Sequence, residues 1–270
     1  MAFQGTFAVG GAIYTVAPDG ALRWYQYDGT GVQDPTGGTG WAPNSGNQIG
    51  QGWSAGFRTF FGTQGVIYAV GDNGSLRWYR YDGKGEHDPS GSTGWAPNSG
   101  NQIGQGWSAG FRTFVAVERA IYAVADDGAL RWYRYDGKGE QNPSGSTGWA
   151  PNSGNRIGRG WSAGFRTFVG TGRVIFAVAD DGALRWYRYD GTGVQDPTGG
   201  TGWAPNSGNQ IGRGWSAGFR NHFGTRGAIF AVADDGALRW YQYDGTGVQD
   251  PTGGTGWAPN SGNRIGRGWT

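Results

Sequence analysis

Short runs of aromatic and β-branched residues recur along the chain, each closed by a glycine-rich turn, and the polar residues inside them follow no helical period. Within residues 55–108 the runs are Phe57-Arg58-Thr59-Phe60-Phe61, Val66-Ile67-Tyr68-Ala69-Val70 and Leu76-Arg77-Trp78-Tyr79-Arg80-Tyr81. Such runs predict three strands. Asp72-Asn73-Gly74 joins the second to the third and becomes Asp126-Asp127-Gly128 one repeat later, a tight-hairpin signature. A weaker fourth strand is expected around Asn101-Gln102-Ile103. Pro97 nearby cannot donate to a ladder, which places this strand on an outer edge.

The pattern has a period. Trp24, Trp78, Trp132, Trp186 and Trp240 stand 54 residues apart, and so do the series beginning at Trp41 and at Trp53, which together account for all 15 tryptophans. Five units of 54 fill the 270 residues, leaving no length for a second domain. Four short antiparallel strands per unit predict an all-β, five-bladed β-propeller, residues 1–270, with blades at approximately 1–54, 55–108, 109–162, 163–216 and 217–270. An open β-solenoid is the alternative; it is disfavoured because the last repeat is as regular as the middle ones rather than an atypical cap. The chain starts at the first strand of a blade, so no borrowed terminal strand latches the ring. Closure is expected to rest on packing of blade five against blade one, with Phe3 and Phe7 in the aromatic positions.

Composition narrows the function. Charged residues are 16% with a net charge of +2, too weak a field to favour nucleic acid. There is no Cys, and His87 and His222 are the only imidazoles, so no metal, cofactor or His-based catalysis is expected. Glycine is abundant, yet 15% aromatic residues predict a packed chain rather than a disordered one. No apolar stretch is long enough to span a membrane and no signal peptide is seen, which reads as a soluble protein, cytoplasmic or released without a leader.

The spacing Trp41, seven residues, Ile49-Gly50, one residue, Gly52-Trp53, followed by an aromatic strand and a strand like Tyr68-Ala69-Val70, resembles the tachylectin-2 family of five-bladed propeller lectins. The likeness covers the whole chain and recurs five times. It implies one site per blade for an N-acetylated hexose such as N-acetylglucosamine or N-acetylgalactosamine. The site would be formed by the long loop, Tyr27 to Trp41 and its repeats, with Gly52-Trp53-Ser54-Ala55 entering from the preceding blade. Here the loop is longer than in the family and carries Thr39-Gly40 where the family has acidic and amide residues.

A pyranose presents an apolar C–H face and a rim of hydroxyls, so it needs one aromatic plane and several neutral polar groups. Gly40-Trp41-Ala42-Pro43-Asn44-Ser45-Gly46-Asn47 offers both. The candidate anchors are Trp41, Trp95, Trp149, Trp203 and Trp257. The second tryptophans, Trp53, Trp107, Trp161, Trp215 and Trp269, divide between packing and site wall. Asn44, Asn98, Asn152, Asn206 and Asn260 could bond a hydroxyl or acetamide or merely close a turn, and Tyr27, Tyr81, Tyr135, Tyr189 and Tyr243 are equally suited to stacking or to structure. Trp78 and its equivalents read as core. The Asp-Asp-Gly turns lack the alternating donors of a calcium loop, and the Gly-Thr-Gly and Gly-Lys-Gly stretches open no helix that could hold phosphate. His87 and His222 read as surface or turn residues. Arg156, Arg159, Arg213, Arg264 and Arg267 replace Gln in later blades and read as solvated surface, with an acidic glycan as the alternative.

The leading expectation is therefore a monomeric, multivalent, non-enzymatic lectin with up to five equivalent sites, one of them completed by Trp269-Thr270 and Met1-Ala2 and weaker for it. A symmetric protein-interaction scaffold, an enzyme using the central channel, and a designed or recently amplified repeat without a dedicated ligand are the rivals.

Overall fold

The computed structural model describes residues 5–269, all of it strand, turn and loop. Twenty strands form five four-stranded antiparallel sheets, each in simple sequence order. Blade one holds β1 (Gly5–Val9), β2 (Ala12–Val16), β3 (Leu22–Gln26) and β4 (Gln48–Gly50); blade two holds β5 (Phe57–Thr63), β6 (Val66–Gly71), β7 (Leu76–Arg80) and β8 (Gln102–Gly104). Blade three has β9 (Phe111–Val117), β10 (Ala120–Ala125), β11 (Leu130–Arg134) and β12 (Arg156–Gly158). Blade four has β13 (Phe165–Thr171), β14 (Val174–Ala179), β15 (Leu184–Tyr187) and β16 (Gln210–Gly212), and blade five β17 (Phe219–Thr225), β18 (Ala228–Ala233), β19 (Leu238–Gln242) and β20 (Arg264–Gly266). The fold is the five-bladed propeller that the repeat predicts, and no helix among the described residues could cross a membrane.

The second strand of each blade is an apolar run, interrupted only by the buried Thr15 in blade one, because both of its faces are covered. Tyr68 pairs across the ladder with Phe61 on one side and Trp78 on the other, and this row packs with Ile121 of blade three. One residue along, Ile67 faces the other way, into the cluster built on blade one with Tyr14, Trp24 and Trp53. Period-two alternation thus turns the Phe61-Tyr68-Trp78 row to one side and Phe60, Ile67 and Tyr79 to the other, and five equivalent seams follow. The seam between blades five and one joins Ile13 and Tyr27 to Phe230, Leu238 and Trp240.

The Asp-Asn-Gly hairpin forms as expected. Gly74 sits at φ 83°, its amide donates to the Gly71 carbonyl, and the Ser75 amide donates to Asn73 Oδ1. In the next blade Asp127 Oδ1 accepts from the Ala129 amide, so the second acidic residue is consumed by its own turn.

Ring closure is more than packing, which corrects the expectation from the chain ends. The long loop of each blade reaches back to the fourth strand of the preceding blade and covers that open edge, the usual hazard of an exposed strand. Between blades one and two, the Asp88 amide donates to Gln48 O at 2.8 Å and Trp95 Nε1 to Ile49 O at 3.2 Å, while Asn44 and Asn47 donate to the Lys84 and Gly85 carbonyls. Between blades five and one the same bonds recur: Asp34 amide to Arg264 O at 2.8 Å, Trp41 Nε1 to Ile265 O at 3.2 Å, and Asn260 and Asn263 to the Thr30 and Gly31 carbonyls. Phe7 is buried at the seam of blades one and two instead, stacked on Tyr14 and Phe60, which corrects its expected place in the closing seam; Phe3 lies outside the described residues.

His222 corrects a second expectation. It lies in β17 at the position of Phe60, Phe114 and Phe168, facing Trp215 at 5.9 Å and Phe219 at 5.3 Å between ring centroids. Its Nε2 is buried and unpaired among the described residues, and burial pushes the imidazole pKa down to about 4. An unfolded histidine takes up a proton below about pH 6.5 whereas this one stays neutral until about pH 4. In that window the unfolded state binds more protons, so stability falls as pH falls. His222→Phe is expected to raise stability, by on the order of 2 kcal/mol more at pH 5 than at pH 7.5, in paired denaturant titrations. An identical gain at both pH values would contradict this. His87, as expected, is exposed in a loop.

Candidate functional site

At each seam the long loop of one blade lies against the fourth strand of the blade before it, and at the seam of blades three and four the rim opens there into a cleft. The cleft measures about 310 Å³, with Trp161, Tyr187, Trp203, Arg159, Thr198 and Ser207 among its walls. Trp203 stacks on Trp161 at a centroid distance of 5.4 Å and an interplanar angle of 26°. The other four seams repeat the pair: Trp41 on Trp269, Trp95 on Trp53, Trp149 on Trp107 and Trp257 on Trp215, at 5.4 to 5.7 Å.

The five loop tryptophans are half-buried, each tethered through Nε1 to a carbonyl of the neighbouring blade. Their partners are buried, forming the floor beneath them. Trp269 belongs to this set and supports Trp41 across the closure; Thr270 and Met1-Ala2, expected to complete that cleft, lie outside the described residues.

The asparagines and tyrosines have structural partners. Asn44, Asn98, Asn152, Asn206 and Asn260 each donate Nδ2 to a loop carbonyl of the following blade at 2.8 to 2.9 Å. Tyr27, Tyr81 and Tyr135 are buried under their own loops, with Tyr189 and Tyr243 half-buried in the same position. The Tyr27 hydroxyl accepts from the Gly31 amide at 3.2 Å, and burial raises its pKa. The tyrosine ring is the floor on which the loop folds: a Cβ at Gly29 or Gly40 would come within 2.7 Å of it. Gly31 presses on Trp240 of blade five so closely that a Cβ would lie 2.1 Å from Cε3, and its φ of 73° also disfavours a side chain. The loop therefore takes this path only with glycine at these points.

A carboxylate holds the loop from within. Asp196 accepts from the amides of Thr198, Gly199, Gly200 and Thr201 and from both threonine hydroxyls, which keeps it ionised well below the usual carboxylate range; the Thr198 hydroxyl bond is the largest cause. Asp34, Asp88 and Asp250 behave alike, while blade three has Asn142 bonded to Thr147 instead. Because the folded carboxylates have depressed pKa values, their contribution to loop order is present above the ordinary carboxylate range and is lost as pH falls through and below it. Acidification below about pH 4 is expected to lower the amide-exchange protection factors of four loops and spare the blade-three loop, as read by hydrogen exchange corrected for the intrinsic rate.

Tyr187 is a cleft residue that the sequence reading missed. It adjoins the buried Trp186 but faces the other way, 4.6 Å from Trp161 between centroids, and strand alternation is the signal that could have found it. Thr198 and Ser207 were likewise hidden among loop residues of ordinary type.

The arrangement is a shallow cleft walled by indole and phenol rings and rimmed with hydroxyls and amides, suited to an amphipathic, largely neutral ligand. Among solved structures, yeast RCC1 (Prp20) in complex with Kap60 is similar with a TM-score of 0.46 and 9% identity, over 97% of this chain and 61% of that one. Prp20p from Saccharomyces cerevisiae gives 0.47 and 10%, over 97% and 76%, and the computationally designed Ika8 protein 0.36 and 11%, over 88% and 57%. The chain thus spans about three fifths of the length of the Kap60-bound relative. A search of curated proteins finds no match. Residues 15–270 match the Tachylectin family, covering all five tryptophan pairs, and the chain belongs to that family.

Proposed function

We propose that this protein is a multivalent lectin whose five rim clefts each hold one N-acetylated hexose, N-acetylglucosamine or N-acetylgalactosamine, and that it performs no catalysis. The observation that carries this reading is the fivefold recurrence of a half-buried loop tryptophan stacked on a buried one, with an open cleft beside the pair at the seam of blades three and four. An indole edge and the Tyr187 ring offer apolar surface to the C–H face of a pyranose, while Thr198 and Ser207 offer hydroxyls to its rim. Membership of the tachylectin family supports the same reading and favours binding over catalysis. The Asn side chains act in it as clasps between blades, orienting the loop instead of meeting the sugar.

A shallow cleft gives weak single-site affinity, and rigid fivefold display compensates. Binding to biosensor surfaces carrying dense N-acetylglucosamine is expected to be about 10²- to 10⁴-fold tighter than to the free sugar, falling to the single-site value as the surface is diluted. Equal affinity at all densities would contradict multivalency, and no response at millimolar sugar would remove the lectin reading.

A further inference from the structure

The five clefts fall into two classes, divided in concert by two segments that lie far apart in sequence. The loops of blades one, four and five read Gly-Thr-Gly-Val, ending at Val32, Val194 and Val248, which are the exposed large hydrophobic residues, at 58–59%. The loops of blades two and three read Gly-Lys-Gly-Glu, ending at Glu86 and Glu140. Each loop lies on the blade before it. The three valine loops meet the strands followed by Arg267, Arg159 and Arg213, and the two glutamate loops meet those followed by Gln51 and Gln105.

The contact is close. A Cβ on loop glycines Gly37, Gly199 or Gly253 would lie 3.8 to 4.0 Å from the backbone nitrogen of Arg267, Arg159 or Arg213. Gln51 and Gln105 are tied down, donating Nε2 to the Asp19 and Asn73 carbonyls of their own hairpins at 2.5 and 2.7 Å. Arg159, Arg213 and Arg267 are exposed and have no hydrogen-bond or ion-pair partner among the described residues, and Arg159 stands in the cleft wall with Trp161 and Trp203. The facing carboxylate, Asp196 or its equivalent, is saturated by its own loop and turned inward. Arg156 and Arg264, beneath them, spend Nε on the Gly158 and Gly266 carbonyls and add charge to two of the three clefts.

We infer that the clefts of Trp41, Trp203 and Trp257 take an anionic saccharide, a hexose bearing a sulfate or carboxylate that the free guanidinium meets, and that those of Trp95 and Trp149 take only a neutral one. This rests on the clefts being sugar sites. An unpaired guanidinium presents a fork of donors matched to such a group. Gln51 and Gln105, tied to their own hairpins, give the clefts of Trp95 and Trp149 no such fork.

The test is the triple variant Arg159→Gln, Arg213→Gln, Arg267→Gln, which installs the residue blades one and two already carry. Calorimetry would use N-acetylglucosamine, its 6-sulfate and glucuronic acid at low and high salt. The sulfated sugar is expected to bind about two- to fivefold tighter than the neutral one, to three sites, with the advantage lost in the triple variant and in high salt. The glucuronic acid arm tells whether carboxylate serves as well as sulfate. Neutral sugar bound equally by both proteins, with the sulfate no better, overturns this inference and leaves the proposed function standing. Sulfated sugar bound by the wild type alone, with neutral sugar bound by neither, upholds the arginine clefts and overturns the N-acetylhexose reading; no binding of any probe overturns both.

Discussion

Trp240→Ala is expected to lower stability by about 3–5 kcal/mol in denaturant unfolding, a large share of the about 5–15 kcal/mol typical of a folded domain. The Trp240 ring is 4% exposed, pairs across the ladder with Phe230, and supports Gly31 of blade one. Removing it leaves a cavity in the core of blade five and takes the floor from under the loop that closes the ring. Trp78→Ala provides the comparison, since Gly139 of blade three rests on Trp78 in the same way at an interior seam. Because the closing seam carries the same hydrogen bonds as the others, the two variants are expected to lose about the same stability. A much smaller loss for Trp240→Ala would mean that closure contributes little and that the ring is held elsewhere.

Trp203→Ala is expected to have the opposite profile. The ring is half-buried, and its replacement removes one stacked face and the bond to the Ile157 carbonyl while the Asp196 loop and the Asn206 clasp remain. The stability cost is expected to be about 1–2 kcal/mol, from one hydrogen bond and one aromatic pair. The cleft should lose its ligand, with on the order of a tenfold or greater fall in affinity there. Trp203→Phe should recover part of the binding, because it restores an aromatic plane without the Nε1 donor. Unchanged affinity and stoichiometry in Trp203→Ala would mean that sugar is held elsewhere.

The repeat made the fold legible. Trp24 and its equivalents announced a buried strand, Asp-Asn-Gly announced the hairpin, and the placement of a fourth strand near Gln102 was correct to within a residue. The seams were harder to read. Asn98 looks like a sugar ligand or a turn residue in sequence, and only the path of the next blade's loop reveals that its amide meets the Lys138 carbonyl. Tyr81 lies under glycines of its own loop for a reason no local pattern carries, since the packing of Gly83 and Gly94 on one ring is a tertiary fact. His222 looked like a stray polar residue, yet its register in the repeat coincides with Phe168, and aligning the blades position by position was the available signal. The closure bonds between the blade-one loop and blade five join residues more than 220 positions apart and follow from the ring alone.

Counting bound sugars addresses the central claim most directly. Native mass spectrometry of the intact protein with rising N-acetylglucosamine is expected to show successive adducts saturating at up to five, and at one fewer in Trp203→Ala. A single adduct that survives this substitution, or none at all, would contradict the assignment of the rim clefts as the ligand seats.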